Sequence, residues 1–191
     1  MFNKKYPKGT YGYVDARKKI ELIWSAIYFA LPIGLFLIGL ISTKTRINLL
    51  TVVAIVSVLP AAKKLTTTIM LCRFRTGSQS FYEKAQAATG KLTAAYDLAL
   101  TTYDNKLYIN AVVLAGHNVI LYSETQKDNQ SYFEKFLKDI LSNNSHGSYT
   151  VKLFTDEAQF LNRVKGMAEN FQEENKKKEE ACLNTINACC L

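Results

Sequence analysis

The sequence predicts a membrane-anchored α+β protein: a two-helix transmembrane hairpin followed by an α-β-β-β-α-β-α cytoplasmic domain with an antiparallel meander. Three observations predict it. The long apolar runs crowd into residues 20–62 of a 191-residue chain that is 48% hydrophobic and only 21% charged. Between Asp97 and Glu124 the apolar pattern has a period of two. Helical spacing returns after that, on both sides of one short strand pattern at Tyr149–Phe154. The length allows one modest domain beside an anchor. The composition excludes disorder, collagen-like repeats and a disulfide-dense secreted scaffold.

Leu22 to Thr43 is a run of 22 residues without a charge. At about 1.5 Å per residue it covers roughly 33 Å, enough for a hydrocarbon core of about 30 Å. Ile47 to Ala62 adds 16 uncharged residues, about 24 Å by the same rise. This second run spans if Lys63 and Lys64 snorkel outward. Only Lys44-Thr45-Arg46 separates the two, so they form a hairpin. The first run is too long, too far from the start and too poor in cleavage signals for a signal peptide. Each run holds a proline, Pro32 and Pro60, which spans tolerate where a neighbour satisfies the freed carbonyl. Ala26, Ala30 and Gly34 fall at i, i+4 and i+8, and Ala54, Ser57 and Ala61 give the second helix a similar small-residue face for membrane packing. Neither run holds an ionisable residue, which disfavours an ion pathway.

Charge sets the orientation. The arm before the first run carries Lys4, Lys5, Lys8, Arg17, Lys18 and Lys19, and Lys63, Lys64, Arg73 and Arg75 follow the second. By the positive-inside rule a multi-pass cell-membrane protein with two spans and both termini cytoplasmic is expected. The formal +8 of the chain does not point to nucleic acid. From Gly77 onward there are 12 cations and 14 anions, a sum of −2, so the domain lacks the field that draws in a polyanion. The basic residues instead read as topology signals and anionic-lipid contacts.

The expected organisation is a basic cytoplasmic arm over 1–18, the hairpin over 19–65, a linker over 66–76, the α+β domain over 77–171 and a charged helical tail over 172–191. Within the domain a helix from Ser78 to Ala95, capped at Ser80, precedes strands at Asp97–Tyr103, Leu107–Ala115 and Val119–Glu124. The middle strand is apolar on both faces and should be central. Asp104-Asn105-Lys106 and Gly116-His117-Asn118 supply turns. A helix from Gln130 to Ser142 puts Tyr132, Phe133, Phe136, Leu137, Ile140 and Leu141 on one face, and a last helix opens at a Thr155 cap with Phe160, Leu161, Val164, Met167 and Phe171 as its buried stripe. The final residues put Cys182, Leu183, Ile186, Cys189 and Cys190 on one side of an amphipathic end that docks on its own domain.

The chemical inventory is thin. Cys72, Cys182, Cys189 and Cys190 lack the paired spacing of a zinc site. His117 and His146 sit in turns. Thr89-Gly90-Lys91 lacks the earlier glycine and the preceding strand of a phosphate loop, and no G-x-S-x-G nucleophile elbow occurs. No catalytic, metal or cofactor residue is assigned.

Ile109–Thr125, INAVVLAGHNVILYSET, resembles the centre of the nuclease-related domain of the restriction-endonuclease-like superfamily, whose core order is a helix, three meander strands, a helix and a strand. Val112, Val113 and Leu114 match its first strand and Val119 and Leu121 its second. The resemblance implies a catalytically degenerate site: Asn110 stands at the metal-binding aspartate, Ser123 at the glutamate and Thr125 at the lysine. An amide and two hydroxyls cannot hold Mg²⁺ or activate water as two carboxylates and an amine would. Moving the register by one offers Glu124 with Lys127 instead.

The expected function is therefore a membrane-anchored, non-catalytic protein. Its cytoplasmic domain serves protein–protein interaction or self-association, with the lipid bilayer as a further partner and nucleic acid a minor hypothesis. The alternatives are a membrane-associated nuclease-like hydrolase and a structural subunit of a membrane complex.

Overall fold

The computed structural model describes residues 6–45, 48–102, 105–125, 128–144, 149–169 and 176–191. It resolves into two compact units. One is built from Asp15–Arg75; the other joins the described part of Lys4–Val14 to Thr76–Leu191.

The first unit is a helical hairpin of α1 (Tyr13–Thr43), from Asp15 onward, and α2 (Leu49–Cys72). Two contacts fix its register. The Thr68 hydroxyl reaches the Glu21 carbonyl at 3.3 Å, and Lys64 pairs with the Glu21 carboxylate. At the other end, a Cβ on Gly39 would lie 2.9 Å from both Asn48 Oδ1 and Leu50 Cβ. Only glycine permits that approach. Among the buried positions are Ser25, Pro32 and Gly39 on α1 and Ala54, Ala61 and Thr68 on α2. Both sets repeat every seven residues, the spacing of helices crossing at a shallow angle. Asn48 starts α2 by accepting the Thr51 N–H at 2.8 Å, a standard N-cap.

The segment 66–72, expected as linker, continues α2. Threonines are modest helix formers, but Thr66 and Thr68 hydroxyls bond the carbonyls of Ala62 and Lys64 at 3.1 and 3.0 Å. Those bonds keep the hydroxyls satisfied within the helix.

The second unit is a mixed α/β domain in the expected element order. After α3 (Gln79–Thr89) come β1 (Thr93–Thr101), β2 (Lys106–Ala115) and β3 (Asn118–Tyr122), then α4 (Gln130–Asn143), β4 (Thr150–Phe154), α5 (Glu157–Glu169) and α6 (Lys176–Cys189). The sheet order is β1-β2-β3-β4, with the first three antiparallel and β4 parallel to β3. A crossover carrying α4 makes that parallel return possible. α4 and α6 cover one face around Phe133, Leu137, Cys182 and Ile186, while α3 and α5 cover the other around Phe81, Ala85, Phe160 and Val164. β2 lies between two strands with helices on both faces, which is why eight of its ten residues are buried.

Several boundaries differ from the sequence reading; β1 begins at Thr93 rather than Asp97, and β3 ends at Tyr122 rather than Glu124. The helix expected to reach Ala95 ends at Thr89, because Gly90 adopts φ +54° and stops it. Thr93–Tyr96 then pair with β2 as strand. The expected caps also move: Ser78, not Ser80, occupies the N-cap of α3, and Asp156 rather than Thr155 caps α5, its Oδ1 accepting the Gln159 N–H at 2.9 Å. Carboxylates and hydroxyls compete for that role, and here the carboxylate is one residue nearer the helix. Gly116, at φ +58°, opens the two-residue β2–β3 turn.

Candidate functional site

β1 and β2 both turn over at their middle. Asp97 has φ +52°, and on either side of it Ala95 and Leu98 face the same core layer although they are three residues apart. On β2, Ile109 and Val112 do likewise. Strict alternation would put such pairs on opposite faces. The reversal leaves two buried polar residues, Asp97 at 1% and Asn110 at 4% exposure, in the middle of an apolar sheet.

Their hydrogen bonds come from Tyr108 of β2 and from backbone groups outside the strands. Asp97 Oδ1 accepts from the Tyr108 hydroxyl, and Oδ2 accepts the Gly12 N–H at 2.6 Å. Tyr108 in turn accepts the Gly77 N–H at 2.7 Å, and the Tyr11 hydroxyl donates to the Gly77 carbonyl at 3.0 Å. Burial raises the Asp97 carboxyl above the ordinary range, against the opposite pull of the Tyr108 and Gly12 bonds. Asn110 Oδ1 accepts the Glu124 N–H at 3.0 Å. Its Nδ2 would lie 2.4 Å from a Cβ on Gly77, so the close approach of that loop requires glycine.

The positions implied by the nuclease resemblance are thus only partly assembled. Asn110 reaches the backbone just after Ser123. Ser123 is fully buried, donates its N–H to the Phe154 carbonyl at 3.0 Å, and leaves its hydroxyl without a hydrogen-bond partner. Thr125 is exposed, as is Glu124. Lys127 and His146 lie outside the described residues, and His117 is exposed with its ring 5.7 Å from Tyr149. Among the described residues no group of three or more His, Cys, Asp or Glu side chains could hold a metal ion. The arrangement as it stands ties backbone segments together. Its Asp97 carboxylate is buried, and the exposed Glu124 takes part through its backbone N–H.

On the hairpin, Ala54 is buried and Ser57 half-buried, whereas Ala26 and Ala30 are exposed and Gly34 has open space where a Cβ would be.

The sequence reading did not anticipate the arm. Residues 6–14 belong to the α/β unit and cover the outer edge of β1. Tyr96 N–H donates to the Gly9 carbonyl at 2.8 Å, Tyr11 stacks on Tyr82 at 4.5 Å, and Lys8 donates to the Cys190 carbonyl. Leu191 N–H closes the same edge on the Ala99 carbonyl at 2.8 Å. Both ends of the described chain thereby blunt one edge strand. The glycines and tyrosines of YPKGTYGY were the available signal, since a solvated basic arm needs neither. Nor was Glu179 anticipated: buried to 1% exposure, it accepts from Thr93 Oγ1 at 3.0 Å and the Gly116 N–H at 2.6 Å.

These features define a mixed α/β domain preceded by two helices long and apolar enough to cross a membrane. No family model matches the chain, and neither a curated protein nor a solved structure is significantly similar to it.

Proposed function

We propose that the hairpin is a membrane anchor and that the α/β domain is a non-catalytic module on the cytoplasmic side, working by association with a protein partner or a second copy of itself. The observation that carries the anchor is where the large apolar side chains are exposed. Apart from Tyr132, every exposed large hydrophobic among the described residues lies between Leu22 and Met70, on α1 and α2. Leu59 at 71% and Ile41 at 76% exposure are among the most exposed. A water-soluble protein does not sustain so continuous an apolar surface, whereas lipid is the solvent in which it costs nothing. The charge asymmetry supports the cytoplasmic placement of the domain, and the absence of net positive charge beyond Gly77 supports a protein rather than a polyanion as partner.

The test is extraction and topology. Full-length protein should resist carbonate extraction, and Cys72, exposed at the end of α2, should react with a membrane-impermeant maleimide only after the cytoplasmic side is opened. Release by carbonate, or labelling of Cys72 from outside intact cells, would overturn the reading. For the association, crosslinking in native membranes should yield a discrete larger species; strictly monomeric protein would count against it.

A second reading, a nuclease-like hydrolase, has the strand order β1-β2-β3-β4 with its meander and crossover in its favour. It requires Mg²⁺-dependent cleavage that is lost on Glu124→Gln. Intact protein inert toward several nucleic acids would remove it.

A further inference from the structure

The charges of the hairpin unit are sorted by whether they have partners. Glu21, buried to 3% exposure, takes Arg17 Nε at 3.0 Å and Lys64, and Lys18 pairs with Asp15 at 2.9 Å. Lys19, Lys63, Arg73 and Arg75 enter no ion pair among the described residues, and all four are exposed. The Glu21–Lys64 bridge sits where the uncharged runs stop, Leu22 beginning one and Ala62 ending the other. Because α1 and α2 are antiparallel, Lys19 on α1 and Arg73 at the end of α2 both lie beyond that bridge, on the side away from the apolar runs. Lys63 adjoins it. By helical rise, Arg73 is roughly 15 Å further along the axis than Lys63.

The unit thus neutralises its buried Glu21 carboxylate internally and leaves a band of uncompensated positive charge that begins at Lys63, beside the exposed Leu65, Ile69 and Met70, and runs past the end of the apolar surface to Arg73 and Arg75. Placed in a bilayer, this band falls at the phosphate layer. We infer that Lys19, Lys63, Arg73 and Arg75 form a binding surface for anionic phospholipid headgroups, so that the hairpin selects acidic lipids around its cytoplasmic end. This rests on the membrane insertion proposed for the hairpin. The recognising chemistry is charge-assisted hydrogen bonding from ammonium and guanidinium groups to phosphate oxygens, reinforced by the negative potential of an acidic leaflet.

Trp24, the chain's single tryptophan, lies one turn inside Glu21 and reports on lipids at this end. Full-length protein is reconstituted in vesicles in which either phosphatidylglycerol or phosphatidylcholine carries brominated chains, and quenching of Trp24 is measured against mole fraction. Brominated phosphatidylglycerol should quench with a preference of about fivefold, the scale that one cation contributes at an acidic surface. That preference should weaken with salt and fall toward one in the quadruple variant Lys19→Gln, Lys63→Gln, Arg73→Gln, Arg75→Gln. Lys44→Gln, at the opposite end of the hairpin, should keep it. Quenching of the quadruple variant by brominated phosphatidylcholine verifies that it still inserts. Equal quenching of the wild type by both lipids, or an equal loss in Lys44→Gln, overturns the lipid preference while leaving the anchor standing. No quenching by either lipid overturns the anchor itself, and the preference with it.

Discussion

The Tyr108 hydroxyl and the Asp97 carboxylate form a hydrogen bond across the β1–β2 pair, with the hydroxyl oxygen simultaneously accepting the Gly77 N–H at 2.7 Å. One phenol therefore links the segment entering α3 to the centre of the sheet. Tyr108→Phe removes both bonds and leaves a buried carboxylate oxygen short of a donor and Gly77 N–H without its acceptor. A buried polar group left unpaired costs about 1–3 kcal/mol. The variant should lose stability in that range in a urea melt of the full chain in mild detergent. A loss below about 0.5 kcal/mol, the scale of an ordinary surface substitution, would show that the relay carries no load.

Asp97 also gives the domain a pH dependence of definite sign. Its native carboxyl is raised by burial, whereas in the unfolded chain it titrates near about 3.9. Between those values the native state holds a proton that the unfolded state has released. The stability from this linkage is full below the unfolded value and is lost as pH rises through the raised native one. Measured as wild type minus Asp97→Asn, to cancel the other carboxylates, stability should fall between pH 3 and the native titration. A flat difference, or one that rises, contradicts the assignment.

Much of the domain was legible before the structure, and the failures have a common cause. β2 announced itself because LYINAVVLA is apolar on both faces, a pattern that only a central strand with helices above and below can satisfy. The amphipathic faces of α4 and α5 were equally plain. Ala94 and Ala95 were read as helix because alanine favours helix locally, and what overrode it was pairing with Val113 and Val112, which no local pattern contains. Asp97 is harder still. Its partner Gly12 is 85 residues away, and nothing at either position signals the other. Local propensity and periodicity reveal elements. A polar cluster assembled by tertiary contacts among Gly12, Gly77, Asp97, Tyr108 and Asn110 lies beyond them.

The arm's attachment can be followed at a single amide. Gly9 has φ +87°, and a Cβ there would come within 3.1 Å of the Ala95 Cβ. Gly9→Val is both conformationally strained and sterically opposed, so the Gly9 carbonyl should no longer hold the Tyr96 N–H. Hydrogen exchange at Tyr96 should accelerate at least tenfold, with the β2 amides of Val112 and Val113 unchanged. Unaltered protection of Tyr96 would mean that the edge is covered by something other than the arm.

Three of the four thiols should separate by reactivity. Cys72 is exposed, whereas burial pushes Cys182 up to about 11 and Cys190 up to about 12. Since the thiolate is the reactive form, Cys72 should label first with a maleimide at pH 8. Cys182 and Cys190 should react only on unfolding. The same raised values predict alkaline instability: unfolded thiols ionise near about 8.5, so stability is full below that pH and is lost as pH rises through 11 to 12. Rapid labelling of Cys182 in the native protein would contradict its packing against Tyr149.

Gly77 concentrates the argument about the polar cluster into one atom. A methyl group there would stand 2.4 Å from Asn110 Nδ2, closer than any non-bonded carbon and nitrogen can approach. Asn110 cannot simply rotate away, because its Oδ1 holds the Glu124 N–H at 3.0 Å and its own side chain is buried. Gly77→Ala should therefore break the Asn110–Glu124 bond or push the Gly77 loop off Tyr108, at about 1–3 kcal/mol for overpacking a filled site. The double variant Gly77→Ala, Asn110→Ala removes the clash and distinguishes the two routes. If steric conflict is the cause, the double variant is less destabilised than the sum of the single changes by at least about 1 kcal/mol, the coupling expected of residues in contact. Strict additivity would place the need for glycine in the backbone instead.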